Sequence, residues 1–438
     1  MPARPPRSAP RPEPPHIVLL ICHDLGRHLP CYGVRGLRTP NLDRLAGEGA
    51  VFDRYFATAP LCSPSRGSIF TGTYPHQNGL MGLVNRGWDM PDRTPTLAQR
   101  LREAGYATYL FGFQHEKRDA RRSGYDHLHH VRGPHQAAEV VPSFVEFLHG
   151  AREATRGGPF LAVIGVSEVH RPFAREPYVP LRREDVDVPP FLPDGPAVRQ
   201  DLAALGGLVS ALDSGVGGVL DALADTGLDR RTLVVFTTDH GLPFPWAKST
   251  LYDAGLGTAL LCRLPGVVPA GRRHDALLSN VDLLPTLLEA AGVAPLPEDV
   301  PGRSFWGLLR GAGGAGRERI FAEKTWHDAY DPIRAVRTTR WKYIRNFVPG
   351  PELVLPADIA AAPSASAPEV AAALARPRAP EELYDLAADP CERRNLAGTP
   401  AHDAVQRELA AALETFMRET GDPLLRGPVP DAGAAPPG

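Results

Sequence analysis

Residues His16 to Asp24 read HIVLLICHD, an uninterrupted apolar run that ends abruptly in two titratable side chains. The chain repeats this arrangement. Tyr106 to Phe111 (YATYLF) leads to His115, Phe160 to Val166 (FLAVIGV) to Glu168 and His170, and Thr232 to Phe236 (TLVVF) to Asp239 and His240. Short continuous apolar runs fit strands buried on both faces, as parallel sheets require, and the segments Thr96 to Ala104 and Ala203 to Leu223 between them read as helices. The expected fold is therefore α/β, with a large mostly parallel sheet flanked by helices. In an open parallel sheet the ligand site lies at the carboxyl ends of the strands, so the four polar endings would converge on one edge. A single His or Asp after a strand is an ordinary turn or cap residue, but four such endings point to chemistry.

Bulk composition narrows the function. The 438 residues are 43% hydrophobic and 22% charged, which suits a large enzyme-sized core. A net charge of -2 supplies no basic field for nucleic acid or acidic lipid, so neither is an expected partner. The start, MPARPPRSAPRPEPP, lacks the apolar core of a secretory signal, and the sequence reads as free of a membrane-length apolar run, so the expected location is cytoplasmic.

Five cysteines (Cys22, Cys31, Cys62, Cys262, Cys391) are scattered and show no C-x-x-C spacing, which argues against a disulfide framework or a zinc knuckle. Cys62 stands apart because of its neighbours, Leu61 to Gly72 (LCSPSRGSIFTG). Pro64 suits the first turn of a helix running to about Thr71, and Gly72 suits its end. Cys62 would then stand just before the helix N-terminus, where free backbone N–H groups favour an anion. Composition alone predicts only about 0.06 occurrences of C-x-P-x-R, counting Lys with Arg, so chance is a poor explanation.

Cys62-Ser63-Pro64-Ser65-Arg66 with Thr71-Gly72 resembles the signature of the type I sulfatases, in the alkaline-phosphatase-like superfamily. The likeness extends through Tyr32-Gly33, Thr39 to Asp43, Val281 to Leu288, Glu382 to Leu386, Asp389-Pro390 and Asn395-Leu396. Within the family, His76 to Gly79 and Asp239 to Pro245 (DHGLPFP) are most similar to heparan N-sulfatases, the N-sulfoglucosamine sulfohydrolases. The resemblance implies that Cys62 is oxidised by a formylglycine-generating maturation enzyme to an aldehyde whose hydrate is the nucleophile. It implies a sulfated sugar or sulfate ester as substrate and one divalent cation, calcium by family. Asp24, Asp239 and His240 are the candidate metal ligands, with the modified Cys62 oxygen completing the shell. By the same resemblance Arg66 holds hydrate and sulfate oxygens, His115 is the base that releases sulfate, and His170 with Lys248 contacts sulfate and assists the departing group.

Three departures from the family pattern matter. Many sulfatases have two adjacent aspartates after the first strand and an Asp-Asn pair after the later one, where this chain has His23-Asp24 and Asp239-His240. An imidazole suits manganese or zinc better than calcium, and the Asp-His pair is similar to that of phosphonate monoester hydrolases of the same superfamily. The lysine expected just before His115 is missing, with Phe113 and Gln114 in its place. His23 is read as lying behind the ligands, and Glu168 as orienting a histidine, binding sugar or serving as a plain loop carboxylate. The open alternatives are a phosphonate or phosphate ester hydrolase, and a non-catalytic sugar-anion binder whose Cys62 stays a thiol.

The expected organisation is a disordered N-terminus (1–14), a catalytic α/β domain (15–330), a smaller C-terminal α+β subdomain with an antiparallel sheet (331–425) and a disordered tail (426–438). In that scheme Leu277 to Val293 is one helix, Ile333 to Phe347 a hairpin, Glu382 to Leu386 a strand, and Ala360 to Pro380 a loose Ala/Pro-rich excursion.

Overall fold

The structure, a computed structural model, describes residues 13–173 and 176–432. Its strands are β1 (His16–Cys22), β2 (Ala50–Phe52), β3 (Tyr55–Phe56), β4 (Ala107–Gly112), β5 (His127–His129), β6 (Phe160–Gly165), β7 (Thr232–Thr238), β8 (Leu260–Arg263), β9 (Arg272–His274) and β10 (Leu278–Ser279). An antiparallel set follows: β11 (Ile320–Trp326), β12 (Tyr330–Arg337), β13 (Trp341–Asn346) and β14 (Glu381–Asp385).

All four apolar runs are strands, and they lie side by side in an eight-stranded sheet of order β5-β4-β6-β1-β7-β8-β2-β9. β5, β4, β6, β1 and β7 are mutually parallel, and β8 runs against both β7 and β2. Strand alternation divides the core. Val18, Leu20 and Cys22 of β1 face the helices Ala137–Ala154 and Pro196–Asp225, whereas Ile17, Leu19 and Ile21 face the helices Cys62–Thr71, Leu97–Glu103 and Leu283–Ala290. With both faces covered, every residue of β1 is buried. The Pro196–Asp225 helix is long and apolar enough to cross a membrane, but 72% of its most apolar window is buried in this core.

Register places the site. Cys22 of β1 pairs with Thr238 of β7, so His23-Asp24 and Asp239-His240 leave the sheet at the same level. Gly165, at the end of β6, sits so close to the chain leaving β4 that an added Cβ would be 2.0 Å from the Phe113 carbonyl oxygen. Only glycine allows that approach, which holds the Phe113 to His115 segment over the sheet edge.

Several local expectations are corrected. The Cys62–Thr71 helix includes Cys62 as its first residue, so the side chain stands on the first turn rather than before it. Leu277 to Val293 is not one helix: Leu278–Ser279 pairs with β3, Asn280–Asp282 form a 3-10 turn with Asp282 accepting the Ser279 N–H, and the α-helix begins at Leu283. The antiparallel sheet begins at Ile320, one strand ahead of the expected start near Asp331. Glu323 and Lys324 in that strand are buried in ion pairs, which hides its apolar alternation.

The Ala/Pro-rich excursion is ordered, with a 3-10 turn at Pro363–Ser366 and a helix at Pro368–Ala375 that packs Val370 and Ala373 against Leu353 and Trp246. The expected tail is packed in part: Val429 is buried with Leu80, Trp88 and Met90, and Trp326 Nε1 donates to its carbonyl. At the other end Glu13 pairs with Arg231. The remainder of both expected disordered ends, 1–12 and 433–438, lies outside the described residues.

Candidate active site

The sheet edge gathers His23, Asp24, Asp239 and His240 around Cys62, all buried. The Asp24 backbone N–H donates to Asp239 Oδ1 (2.9 Å), which ties the two strand ends together. Asp24 has φ +51°, in the left-handed region that costs a non-glycine residue about 1 kcal/mol or more, a cost that buried sites of function commonly carry. Trp246 and Ser249, on the turn that presents Lys248, share this conformation with φ +60° and +71°.

Cys62 Sγ lies 3.3 Å from His240 Nε2 and 3.6 Å from Asp24 Oδ1. His240 Nδ1 faces the Gly241 carbonyl at 3.0 Å, and since a carbonyl only accepts, Nδ1 carries the proton and Nε2 offers a lone pair. Yet Nε2 is 2.8 Å from the Asp24 carboxylate. Two acceptors at that distance require a positive charge between or upon them, either a proton or a metal ion. Ligand atoms of His23, Asp24, Cys62 and Asp239 also lie within 4.8 Å of one another. Two carboxylates with imidazole nitrogen form a donor set that fits a divalent cation. His23 therefore stands among the available ligand atoms rather than behind them, its Nδ1 3.3 Å from Asp239 Oδ2 and 3.9 Å from Asp24 Oδ1.

The charges are held by neighbours. Burial works against the Asp24 carboxylate, but Lys248 and His240 outweigh it and keep Asp24 well below the usual carboxylate range. Asp239 is lowered in the same way against burial, by His240, His23 and Arg66. Burial and the nearby Asp24 push the Cys62 thiol up. Lys248 Nζ donates to Asp24 Oδ2 and Asp358 Oδ2, each at 2.9 Å, and these carboxylates with Cys62 raise its pKa in spite of burial.

Arg66 is fully buried and donates from Nε to Asp239 Oδ2 at 3.0 Å, with its guanidinium 5.0 Å from the Phe113 ring. It is neither a surface pair nor free, and its Nη1 has no hydrogen-bond partner among the described residues. His115 packs 5.2 Å from Phe113, and its Nδ1 is likewise buried without a partner. Burial, with His23 and Arg66, pulls its pKa down to about 3, so it is neutral at pH 7. His170 is partly exposed, with Nε2 4.0 Å from Asp24 Oδ2.

One candidate belongs elsewhere. Glu168 accepts the Ala137 N–H with both oxygens (3.0 and 3.1 Å) and the Tyr178 hydroxyl at 2.9 Å. It caps the positive end of the Ala137–Ala154 helix, a role that places the carboxylate at a helix N-terminus. Two residues passed over in the sequence also border the site. Glu116 is buried behind Arg66 and raised to about 7 by burial, and Asp358 reaches Lys248 from the Ala357–Ala360 helix. Nothing in the Ala/Pro-rich sequence around Asp358 marks it.

A buried carboxylate and imidazole cluster at the carboxyl edge of a parallel sheet, with a cysteine on a helix first turn, is suited to holding a cation and an anionic group beside a nucleophile. Comparison with known proteins makes this specific. The sulfatase family model matches residues 15–293, and the model for the C-terminal part of N-sulphoglucosamine sulphohydrolase matches residues 239–363. The chain belongs to the sulfatase family, within the alkaline-phosphatase-like superfamily, and is a sulfatase-family enzyme.

It is 28% identical to an ulvan-active sulfatase of Formosa agariphila, covering 94% of this chain and 76% of that one. It is 27% identical to human N-sulphoglucosamine sulphohydrolase, covering 95% and 93%. Among solved structures, one in complex with its substrate D-glucosamine-2-N,6-O-disulfate superposes with a TM-score of 0.73 at 20% identity, covering 95% of this chain and 99% of that one. The phosphonate monoester hydrolase of Silicibacter pomeroyi superposes at 0.71 with 21% identity, covering 93% and 96%. These two share the fold.

Proposed function

We propose that the protein is a formylglycine-dependent sulfatase that removes sulfate from a sulfated sugar, with the sulfamate of N-sulfoglucosamine as the substrate. The observation that carries this reading is the position of Cys62, whose Sγ is 3.3 Å from His240 Nε2 and 3.6 Å from Asp24 on the first turn of a buried helix. Supporting it is the likeness to the human N-sulphoglucosamine sulphohydrolase over 95% of the chain.

Formylglycine at position 62 and a bound divalent cation would together supply a nucleophilic hydroxyl and neutralise charge on sulfate. Asp24, Asp239 and His240 would hold the cation, with His23 within reach. Calcium is the family's ion, and the imidazole of His240 favours manganese or zinc. Arg66 Nη1 and His115 Nδ1, buried without partners, are hydrogen-bonding positions for oxygens brought by the modified residue and the substrate. Neutral His115 takes a proton at Nδ1, and the partly exposed His170 and the buried Lys248 donate to the departing oxygen or nitrogen. Maturation requires an oxidising enzyme in the same compartment, which we take to be the cytoplasm.

The test is the mass of the tryptic peptide spanning Cys62, expected about 18 Da below the thiol form, together with sulfate release from N-sulfoglucosamine. An unmodified Cys62 in active protein overturns the proposal. A second reading, phosphonate ester hydrolysis, is favoured by the Asp239-His240 pair. Parallel assays with an aryl sulfate and an aryl phosphonate separate the two, and faster phosphonate cleavage selects the second.

A further inference from the structure

Lys248 lies between two carboxylates, and only one of them belongs to the strand-end cluster. The other, Asp358, comes from the Ala357–Ala360 helix and meets Nζ at 2.9 Å. Its placement is firm. The Ala357 N–H donates to Asp328 Oδ2 (2.8 Å), and Asp328 is in turn paired with Arg86 (2.6 Å) and His327 (3.2 Å). A carboxylate fixed at the mouth of a site for anions repels the group the site must admit. Lys248 offsets part of that charge, and the carboxylate oxygen left over is one that a hydrogen-bond donor on the substrate could meet.

Asp358 is placed for this contact. Its Oδ2 is taken by Lys248, while its Oδ1 has no hydrogen-bond partner among the described residues, and the side chain is 24% exposed. Ligand-type atoms of Asp24, His170 and Asp358 lie within 4.8 Å of one another, so the carboxylate stands next to the residues assigned to the metal and the departing group. His170 and Asp358 therefore stand together beside Asp24.

We infer that Asp358 is a specificity residue: its Oδ1 accepts a hydrogen bond from a hydroxyl or N–H on the atom adjacent to the one bearing the sulfate, and it rejects a second anion at that position. The substrate class is a sulfate or sulfamate with a vicinal donor, as on a sugar ring. The inference rests on the sulfatase reading above.

The test compares two aryl sulfates that differ by one hydroxyl ortho to the sulfate, 4-nitrophenyl sulfate and 2-hydroxy-4-nitrophenyl sulfate. The ratio of their kcat/KM values is measured in the wild type, in Asp358→Ala and in the isosteric Asp358→Asn, the last also serving if the alanine variant misfolds. The preference for the vicinal hydroxyl should fall by about ten- to hundredfold in Asp358→Ala, mainly through KM, and by less in Asp358→Asn, which keeps an acceptor oxygen. An equal loss on both substrates, or an unchanged ratio, overturns the inference and leaves Asp358 as a support for Lys248. If wild type with verified formylglycine releases sulfate neither from these esters nor from N-sulfoglucosamine, the sulfatase reading itself fails.

Discussion

His23 stands where the sulfatase resemblance leads one to expect an aspartate, Phe113 is one of the two residues where it leads one to expect a lysine, and their rings touch, with centroids 4.4 Å apart. One buried charge of each sign is therefore missing from the same spot, and we expect the two replacements to be energetically coupled. His23→Asp alone adds a carboxylate where Nδ1 now lies 3.3 Å from Asp239 and 3.9 Å from Asp24. At ~4 Å and an effective dielectric of ~20, each like-charge pair costs about 4 kcal/mol, offset in part by Arg66 and Lys248.

Phe113→Lys alone sets an ammonium ~5 Å from the Arg66 guanidinium, at about 3 kcal/mol. The double variant restores opposite charges at about 4.4 Å, worth about 4 kcal/mol. Urea denaturation in EDTA, which keeps metal from masking the effect, should show each single variant destabilised by about 2–4 kcal/mol and the double variant recovering most of the sum. The reasoning is refuted if the cycle closes within about 0.5 kcal/mol of additivity.

Two further predictions concern stability. Burial lowers His23 and His28 to about 4 and His115 to about 3, whereas in the unfolded chain each titrates near its ordinary 6.5. The unfolded state thus binds more protons below pH 6.5, and the stability present above that pH should be lost as pH falls to 4 and then 3, by about 1.4 kcal/mol per histidine per pH unit. A melting temperature flat from pH 6.5 to 4.5 would contradict this. Truncation after Gly427 removes Val429 from its contacts with Leu80, Trp88 and Met90, and should cost about 2 kcal/mol in urea unfolding, where a truly loose tail would cost nothing.

Much of the site could be read from local sequence because strand ends in a parallel sheet are a shared edge. Once HIVLLIC and TLVVF are read as buried strands, Asp24, Asp239 and His240 are neighbours by register, and Cys62 and Arg66 follow from the helix that Pro64 and Gly72 delimit. Glu168 shows where that logic fails: it too follows a strand, yet the N-terminus of a helix claims it, and which acceptor a carboxylate meets depends on packing. The first antiparallel strand was hidden because Glu323 and Lys324 are buried only by virtue of partners, His76 and Asp331, distant in sequence or in an adjoining strand.

The sequence by itself determined the sheet, the helix bearing Cys62 and the chemical type of the strand-end residues, since periodicity and turn chemistry act over a few residues. The tertiary structure alone decided that His23 joins the ligand cluster, that Phe113 covers Arg66, and that Asp358 crosses 110 residues of chain to meet Lys248. Those are contacts between charged or aromatic groups from separate elements, and their energies depend on distance and burial, quantities that no local pattern encodes.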